Sequence, residues 1–198
     1  MLTFEDVMRV TSEVSGNAAF EDNECRAYFD LLIGLPDELP DDATVVEIGL
    51  QFGRSSSIVM QVGHEKRFRY WGVDPFIDPP DAREAWTKLA ERLGCEEYAL
   101  LHMKSQDADP YLPQDVDLAL VDGDHWASSV ESDCKLLMPR IKSGGWMLFH
   151  DYGRESLPQV YPTVQAEMVR DVVWRHGKLH DRWEELPTVG TLGIWRKL

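Results

Sequence analysis

The sequence is poor in cysteine and in positive charge. Only three of its 198 residues are cysteines, Cys25, Cys95 and Cys134, and none belongs to a C-x-x-C pair. An odd, widely spaced set argues against a disulfide framework and against a zinc site, so a cytoplasmic location is the simplest expectation. Lys and Arg number 20 against 35 Asp and Glu, which gives a net charge of −15. Such a surface repels phosphate backbones, so we expect no nucleic acid partner.

The sequence also lacks long apolar runs and internal repeats. No apolar stretch approaches the about 20 residues that span a bilayer, so we expect no membrane partner. The first residues, MLTFEDVMRV, carry acids and no basic segment, so no signal peptide is expected. The apolar content of 43% is enough for a core. At this length, these features predict one domain with a small appendage.

From residue 44 onward, short apolar strands alternate with amphipathic helices, which predicts βαβ units and a parallel sheet. We therefore expect an α/β fold with a doubly wound, mostly parallel, seven-stranded Rossmann-like sheet and helices on both faces. Residues 1–40 are predicted to form an N-terminal helical cap, and residues 41–198 the main domain. The apolar helices of this cap are compatible with a homodimer.

The period of the apolar residues places the individual elements. Strands are predicted over 44–48, 68–73, 98–103, 116–121, 145–149 and 191–195. Helices are predicted over 4–15, 21–35, 54–62, 82–93, 128–141 and 160–174. The last two strands are expected to form an antiparallel hairpin, with residues 186–190 as its turn.

Polar and acidic residues follow every predicted strand except the last. In a doubly wound sheet, ligands bind beyond the carboxyl ends of the strands. These ends carry Glu47 and Gly49, Asp74, Ser105 and Gln106, Asp122 and His125, and His150 with Asp151. Their concentration at one edge of the sheet predicts a functional site there.

Two glycines, Gly49 and Gly53, flank the turn after the first strand. Glycine lets the backbone approach a ligand closely, and the helix that follows, which begins near Ser55, offers free N–H groups. The pattern is G-x-x-x-G rather than the G-x-G-x-x-G of dinucleotide sites. Glu47 beside it would repel a pyrophosphate and suit a cationic ligand. A tight turn without any ligand is the alternative.

The ends of the second and third strands are also suited to a nucleoside. Asp74 occupies a position where an acid can accept hydrogen bonds from both hydroxyls of a ribose. A turn or capping residue before Pro75 is the structural alternative. Ser105 and Gln106 are placed to contact an adenine edge.

These segments, read in order, resemble a known family. Four segments are similar to the ordered motifs of class I S-adenosylmethionine-dependent methyltransferases. They are V-V-E-I-G-x-x-x-G, which starts at Val45, G-V-D, S-Q-D and D-L-A-L-V-D, which ends at Asp122. The resemblance covers residues 44–198 and implies S-adenosylmethionine as the cofactor. The cofactor contacts implied in this way are Glu47, Gly49, Gly53, Ser55, Asp74, Ser105, Gln106 and Asp122.

The later motifs resemble a subgroup of that family. Asp122-Gly-Asp-His125 and the pair His150 and Asp151 are similar to macrocin-type sugar O-methyltransferases and, more distantly, to catechol O-methyltransferases. The resemblance implies methylation of a small-molecule hydroxyl, on a sugar, a phenol or a natural product, with His125 as base. Histidine titrates near neutral pH, which suits this role. The metal ligands implied are Asp122, His150 and Asp151.

His150 departs from the subgroup, which usually has a carboxylate or a carboxamide at this position. Asp122, Asp151 and Asp124 could still hold Mg²⁺ by oxygen atoms. A set of one His and two Asp would instead suit Mn²⁺, Fe²⁺ or Zn²⁺. A third alternative is that no metal is used and that His125 or His150 acts alone.

Rival interpretations stay open at this point. Asp124 fits a simple helix cap. The resembling family also contains cephalosporin hydroxylases, so a hydroxylase-like enzyme or a cofactor-binding protein without methyl transfer is the alternative function. Trp126 and Tyr152 are the aromatic residues expected nearest to an acceptor.

Overall fold

The helices and strands follow one another in the predicted order, apart from a further strand over Trp183–Val189 that the predicted ranges do not include. The computed structural model describes residues 2–14, 21–34, 39–77, 79–94, 97–152, 166–178 and 182–198. The helices are α1 (Phe4–Thr11), α2 (Asp22–Ile33), α3 (Arg54–Lys66), α4 (Ala82–Arg92), α5 (Ala127–Leu137) and α6 (Ala166–Lys178). The strands are β1 (Thr44–Ile48), β2 (Arg69–Val73), β3 (Tyr98–Leu101), β4 (Val116–Val121), β5 (Ile141–Phe149), β6 (Trp183–Val189) and β7 (Leu192–Lys197).

Within these ranges the strands form one seven-stranded sheet in the order β3-β2-β1-β4-β5-β7-β6. Strands β1 to β5 are parallel where they pair, and β7 runs antiparallel to both β5 and β6. This confirms the predicted α/β class and the mostly parallel, doubly wound sheet. The direction of winding reverses between β1 and β4, so the carboxyl ends of these two strands flank the expected binding crevice.

The two central strands are buried along their whole length. Successive residues of a strand face opposite sides of the sheet. Val45 therefore belongs to a cluster that includes Tyr28 and Trp86, while Val46 belongs to a second cluster that includes Cys134. Helices cover both faces, and Cys134 of α5 is fully buried.

The two N-terminal helices pack on α3 and are part of the first cluster. Val7 and Tyr28 are fully buried and share that cluster with Leu118 of β4. The hydroxyl oxygens of Thr11 and Ser57 lie 2.7 Å apart across the contact between α1 and α3. The boundary at residue 40 and the homodimer remain predictions.

The predicted bounds around residue 140 are wrong. α5 ends at Leu137, a 3₁₀ turn follows over Met138–Arg140, and β5 begins at Ile141. Pro139 lies in that turn and has no N–H with which to continue a helix. Ile141 continues the apolar spacing of α5, but it pairs with Val116 of β4. The sequence pattern alone does not separate these two environments.

The predicted turn of the C-terminal hairpin is also wrong, although the antiparallel hairpin is confirmed. Residues 186–189 belong to β6, and the chain turns at Gly190, whose φ is 59°. Pro187 lies where the register shifts between Leu186 and Val189. β6 is the edge strand of the sheet, where the missing N–H of proline breaks no ladder.

Some expectations concern parts of the chain that the structure does not describe. The predicted start of the helix over 160–174 and Cys95 lie outside the described residues. Among the described helices, none has the length and apolar character that crossing a membrane requires.

Candidate active site

The glycine turn after β1 lies directly against the end of β4. Gly49 has a φ of 86° and donates its N–H to the Val73 carbonyl at 2.9 Å. A Cβ added at Gly49 would overlap the backbone carbonyl of Asp122. The Asp122 N–H in turn donates to the Ile48 carbonyl at 2.8 Å. The structure therefore brings Gly49 and Asp122 together, and only glycine fits at position 49.

Gly53 begins α3 in a left-handed conformation, with a φ of 92°. A Cβ at this position would lie 2.9 Å from the side chains of Trp86 and Leu89 in α4. The glycine turn is therefore closed by β4 on one side and by α4 on the other. Ser55, in the first turn of α3, is 5% exposed.

Glu47 is fully buried beneath this turn. Its carboxylate accepts hydrogen bonds from the Ser55 hydroxyl, from the Ser56 hydroxyl at 3.1 Å and from the Tyr70 hydroxyl at 2.5 Å. Burial raises the pKa of Glu47 to about 7, although the three hydroxyls lower it in part. Glu47 thus fixes the start of α3 to β1, and its predicted contact with a cofactor remains a prediction.

Asp74 joins the end of β2 to the same turn. Its Oδ2 accepts the N–H groups of Leu50 and Gln51 at 2.7 and 3.0 Å, and its Oδ1 accepts that of Phe76 at 2.5 Å. A carboxylate oxygen can accept two hydrogen bonds, so Oδ1 keeps one acceptor position. Asp74 therefore shapes the turn, as the structural alternative expected, and also retains a free acceptor position. Its contact with a ribose stays a prediction.

Ser105 and Gln106 lie in a short 3₁₀ turn after β3, over Ser105–Asp107. Ser105 is nearly buried and Gln106 is exposed. Asp133 of α5, only 2% exposed, lies against Ser105 and the Gly123 turn. Burial raises the pKa of Asp133 to about 6, although the Ser105 hydroxyl lowers it in part. Sequence reasoning missed Asp133, whose spacing of three from Val130 places it on the apolar face of α5.

The predicted reactive residues converge at the ends of β4 and β5. Nδ1 of His150 lies 2.9 Å from Oδ1 of Asp122, and Nε2 of His125 lies 3.6 Å from the same oxygen. Oδ2 of Asp151 lies 3.4 Å from Nδ1 of His125 and 3.8 Å from Nδ1 of His150. All four side chains thus form one cluster, as expected, and Asp122 connects it to the glycine turn.

One member of the cluster was not foreseen. Glu24 of α2 is fully buried, and its Oε2 lies 3.4 Å from Nε2 of His150. The hint in the sequence is its position four residues before Tyr28, on the apolar face of the second helix. The N-terminal helices therefore reach the reactive end of the sheet.

The charges of this cluster shift the titration of both histidines. Burial alone would lower the pKa of His150, but Asp122, Glu24 and Asp151 outweigh it and raise that pKa to about 11. Burial also opposes protonation of His125, yet Asp122 and Asp151 raise its pKa. Conversely, burial would raise the pKa of Asp122, but His150 and His125 lower it. The Asp122 carboxylate thus stays ionised at neutral pH.

The cluster also has the composition of a metal site. One ligand atom each from Asp122, His125 and His150 lies within 4.8 Å of the others. Nε2 of His125 is buried and has no hydrogen-bond partner among the described residues. Adjacent ligands with bonds of about 2.1 Å to a metal lie roughly 3.0–3.4 Å apart, which is close to the separations found here. The residues fit a divalent ion that accepts imidazole, which Mn²⁺, Fe²⁺ and Zn²⁺ do more readily than Mg²⁺.

Three neighbours of the cluster have local roles. Asp124 accepts the Trp126 N–H at 3.3 Å and the Ser129 hydroxyl at 3.1 Å, so it stabilises the turn before α5, but the N-cap residue is Trp126 and the expected cap by Asp124 is wrong. Trp126 is 48% exposed beside His125. Tyr152 is buried and donates its hydroxyl to Glu185 at 2.7 Å. Of the two aromatic residues, Trp126 is the one with a surface open to an acceptor.

A family model for a methyltransferase domain matches residues 46–152, which is more than half of the chain. The chain belongs to the methyltransferase domain family. The match begins inside β1 and ends just after β5. It therefore includes the glycine turn, Asp74, Ser105 and the Asp122–Asp151 cluster, which are the parts that the sequence assigned to cofactor and reaction.

A sequence relative of this chain is an uncharacterized protein of Acanthamoeba polyphaga mimivirus. The two chains are 31% identical over 140 residues, and the match covers 67% of this chain and 62% of the viral protein. The chain thus spans less than two thirds of the length of this relative.

Solved structures share the fold of this chain. An O-methyltransferase from Bacillus cereus in complex with S-adenosylhomocysteine aligns with a TM-score of 0.68 at 15% identity, over 98% of this chain and 90% of that one. An rRNA methylase from Streptococcus thermophilus aligns with a TM-score of 0.61 at 14% identity, over 90% and 98%. At such identities the likeness concerns the fold alone.

Proposed function

We propose that this methyltransferase transfers the methyl group of S-adenosylmethionine to a hydroxyl of a small molecule, with His125 as general base. The observation that carries the proposal is Nε2 of His125, which is buried, has no hydrogen-bond partner among the described residues and lies beside Asp122. Asp151 lies 3.4 Å from Nδ1 on the other side of the ring. A base oriented by a carboxylate is the arrangement that activates a hydroxyl.

The cofactor part of the proposal rests on the glycine turn. S-adenosylmethionine is the methyl donor whose sulfonium is positive, and Asp122 and Asp74 supply negative charge at the two edges of that turn. Gly49, Gly53 and Ser55 would hold the methionine part, Asp74 the ribose, and Ser105 with Gln106 the adenine. The complex of the Bacillus cereus enzyme with S-adenosylhomocysteine, the product of such a transfer, supports this choice.

The reaction is an in-line displacement. The acceptor oxygen forms a bond to the methyl carbon while the carbon–sulfur bond breaks. The electron pair of the broken bond stays on sulfur, which gives S-adenosylhomocysteine. His125 receives the hydroxyl proton at Nε2, and Asp151 and Asp122 stabilise the imidazolium that results. The remaining work of the protein is to align the two reactants and to exclude water.

A divalent metal is part of the proposal in one of two arrangements. Asp122, His150 and Asp151 would hold it if His125 is the base. Asp122, His125 and His150, whose ligand atoms lie within 4.8 Å of one another, would hold it if His125 is instead a ligand. Bound there, the ion would lower the pKa of an acceptor hydroxyl and orient it. The donor types favour a transition ion over Mg²⁺.

The subgroup and the cellular setting belong to the same proposal. The position of His125 three residues after Asp122, and of the pair His150 and Asp151 after β5, supports a macrocin-type enzyme that acts on a sugar, a phenol or a natural product. A cytoplasmic location and a homodimer fit this reading. A hydroxylase-like enzyme on the same fold is the rival, and detection of S-adenosylhomocysteine as product separates the two.

The direct test replaces His125 by Ala. Loss of a general base lowers turnover by about 10²–10⁴-fold, so we expect that loss for methyl transfer to a panel of sugars and phenols. Binding of S-adenosylhomocysteine, measured by calorimetry, should stay unchanged. His64→Ala is the matched control, because His64 is an exposed histidine on α3. Full turnover in the His125 variant would refute its role as base.

A further inference from the structure

Glu24 and Asp22 are both acidic residues in the first turn of α2, but only Glu24 is buried. Its side chain is fully buried, whereas Asp22 in the same turn of α2 is 82% exposed. Removing a carboxylate from water costs several kcal/mol unless hydrogen bonds and an opposite charge compensate. The partners of Glu24 therefore indicate what holds it in this position.

Three groups on two residues donate hydrogen bonds to this carboxylate. Oε1 accepts both the N–H and the hydroxyl of Thr191, at 2.6 and 2.7 Å, and Oε2 accepts the Glu21 N–H at 2.8 Å. A Cβ at Gly190 would lie only 2.7 Å from Oε1, so the turn between β6 and β7 needs glycine to admit Glu24. The carboxylate is thus fixed in place before any contact with the reactive cluster is counted.

The fixed carboxylate faces one ring nitrogen of His150. Oε2 of Glu24 lies 3.4 Å from Nε2, while Nδ1 on the opposite side of the ring lies 2.9 Å from Asp122. Glu24 therefore lies on the Nε2 side of the ring, where a carboxylate can accept a proton, and Nδ1 is directed toward the reactive cluster.

We propose that Glu24 is a positioning residue of the reactive centre: it accepts the Nε2 proton of His150 and so presents Nδ1 to Asp122. The inference rests on the proposed function, since it assigns a supporting role within that same site. It also gives the N-terminal helix α2 a part in catalysis. A carboxylate behind an imidazole orients the ring whether Nδ1 carries a proton or a metal ion. A purely structural role, joining α2 to the C-terminal hairpin, is the alternative.

Nuclear magnetic resonance of the resting protein tests the contact without any methyl transfer. With ¹⁵N-labelled histidine, wild-type protein should show a slowly exchanging Nε2 proton on His150. Glu24→Gln should move this signal upfield and speed its exchange, because the charged acceptor is lost. An unchanged signal would refute the proposal, even if methyl transfer is confirmed. If the protein transfers no methyl group, this measurement still decides on Glu24.

Kinetics then separate positioning from mere folding. Glu24→Gln should lower kcat by about tenfold or more, as loss of such a supporting partner does elsewhere, with the Kd for S-adenosylhomocysteine unchanged. In a His150→Asn background the same substitution should cause no further loss, because Glu24 acts through His150. Additive losses would show a role independent of His150 and would overturn the proposal.

Two further variants keep the test decisive. Glu185→Gln alters a carboxylate of β6 whose partner is Tyr152, outside the reactive cluster, and should leave kcat unchanged. Thr191→Val removes only the hydroxyl donor to Glu24 and keeps the charge. If Glu24→Gln yields no folded protein, a smaller decrease in kcat for Thr191→Val, with the same direction of change in the His150 signal, supports the proposal. No change in either quantity refutes it.

Discussion

Asp133 lies on the buried face of α5, and its Oδ1 has no hydrogen-bond partner among the described residues. Burial raises its pKa from an ordinary 3.8 to about 6. The folded state thus disfavours the ionised form, so the contribution of Asp133 to stability is fully present below its ordinary pKa of 3.8 and is lost as the pH rises through about 6. A shift of this size corresponds to about 3 kcal/mol at most, at 1.36 kcal/mol per pKa unit.

Asp133→Asn should remove this pH dependence. We expect the variant to be more stable than wild type by about 2 kcal/mol at pH 8 and nearly equal to it at pH 4, because a neutral amide has no ionisation to suppress. Urea unfolding at the two pH values measures this. Asp107→Asn, an exposed carboxylate of the neighbouring turn, is the control. Parallel pH profiles for wild type and Asp133→Asn would contradict the account.

The proposed metal site at Asp122 makes a testable prediction about the ion. Both proposed ligand sets contain imidazole as well as carboxylate, and such mixed sets bind Mn²⁺, Fe²⁺ or Zn²⁺ better than Mg²⁺, whose preferred ligands are oxygen atoms. Dialysis against a chelator should therefore lower methyl transfer, and a transition ion should restore it at lower concentration than Mg²⁺. Metal content by mass spectrometry and turnover are measured together. Full turnover of metal-free protein would instead assign the work to the histidines alone.

At the scale of the elements, the contact between the glycine turn and β4 is the tightest point of the site. Gly49→Ala places a methyl group against the Asp122 backbone and requires a left-handed conformation that alanine disfavours. Backbone atoms of two central strands move little, so we expect a loss of about 2 kcal/mol or more in unfolding free energy and no measurable binding of S-adenosylhomocysteine.

A second glycine provides the matched control for this prediction. Gly94 is also left-handed, with a φ of 61°, but a Cβ there would meet no atom within 4 Å. Gly94→Ala should cost only about 1 kcal/mol, from backbone strain, and should bind the cofactor product normally. Thermal unfolding and calorimetry compare the two variants. Equal losses would mean that strain, rather than the contact between β1 and β4, explains the effect.

The sequence predicts best the elements whose environment is uniform. β1 and β4 were placed to the residue, because strands buried on both faces need continuous apolar side chains. Ile141 was misplaced, since apolar spacing alone does not tell the end of a helix from the start of a strand. Pro187 suggested a turn, but it lies in β6. That β6 is an edge strand, where proline is tolerated, follows only from long-range pairing. The roles of Glu24 and Asp133 could not be predicted from the sequence, since their partners are distant in sequence and are known only from the fold.

At the scale of the whole molecule, net charge is the property that bears on the choice between a small molecule and RNA as substrate. The same fold occurs in an rRNA methylase, so the architecture alone allows either substrate. Proteins that bind nucleic acid neutralise phosphates with clustered Lys and Arg. Here 35 acidic residues oppose 20 basic ones. Acids also surround the reactive centre, where Glu24, Asp122 and Asp151 lie near the two histidines.

We therefore expect very weak binding of RNA. A fluorescently labelled ribosomal RNA hairpin at 50 mM salt should give a Kd weaker than about 10⁻⁴ M, the upper end of non-specific affinities, and should release no S-adenosylhomocysteine. Lower salt should not bring measurable binding, because repulsion grows as screening falls. Small hydroxylated acceptors should give product under the same conditions. Micromolar binding that weakens steeply with salt would reveal a local basic surface and would move the substrate from a small molecule to RNA.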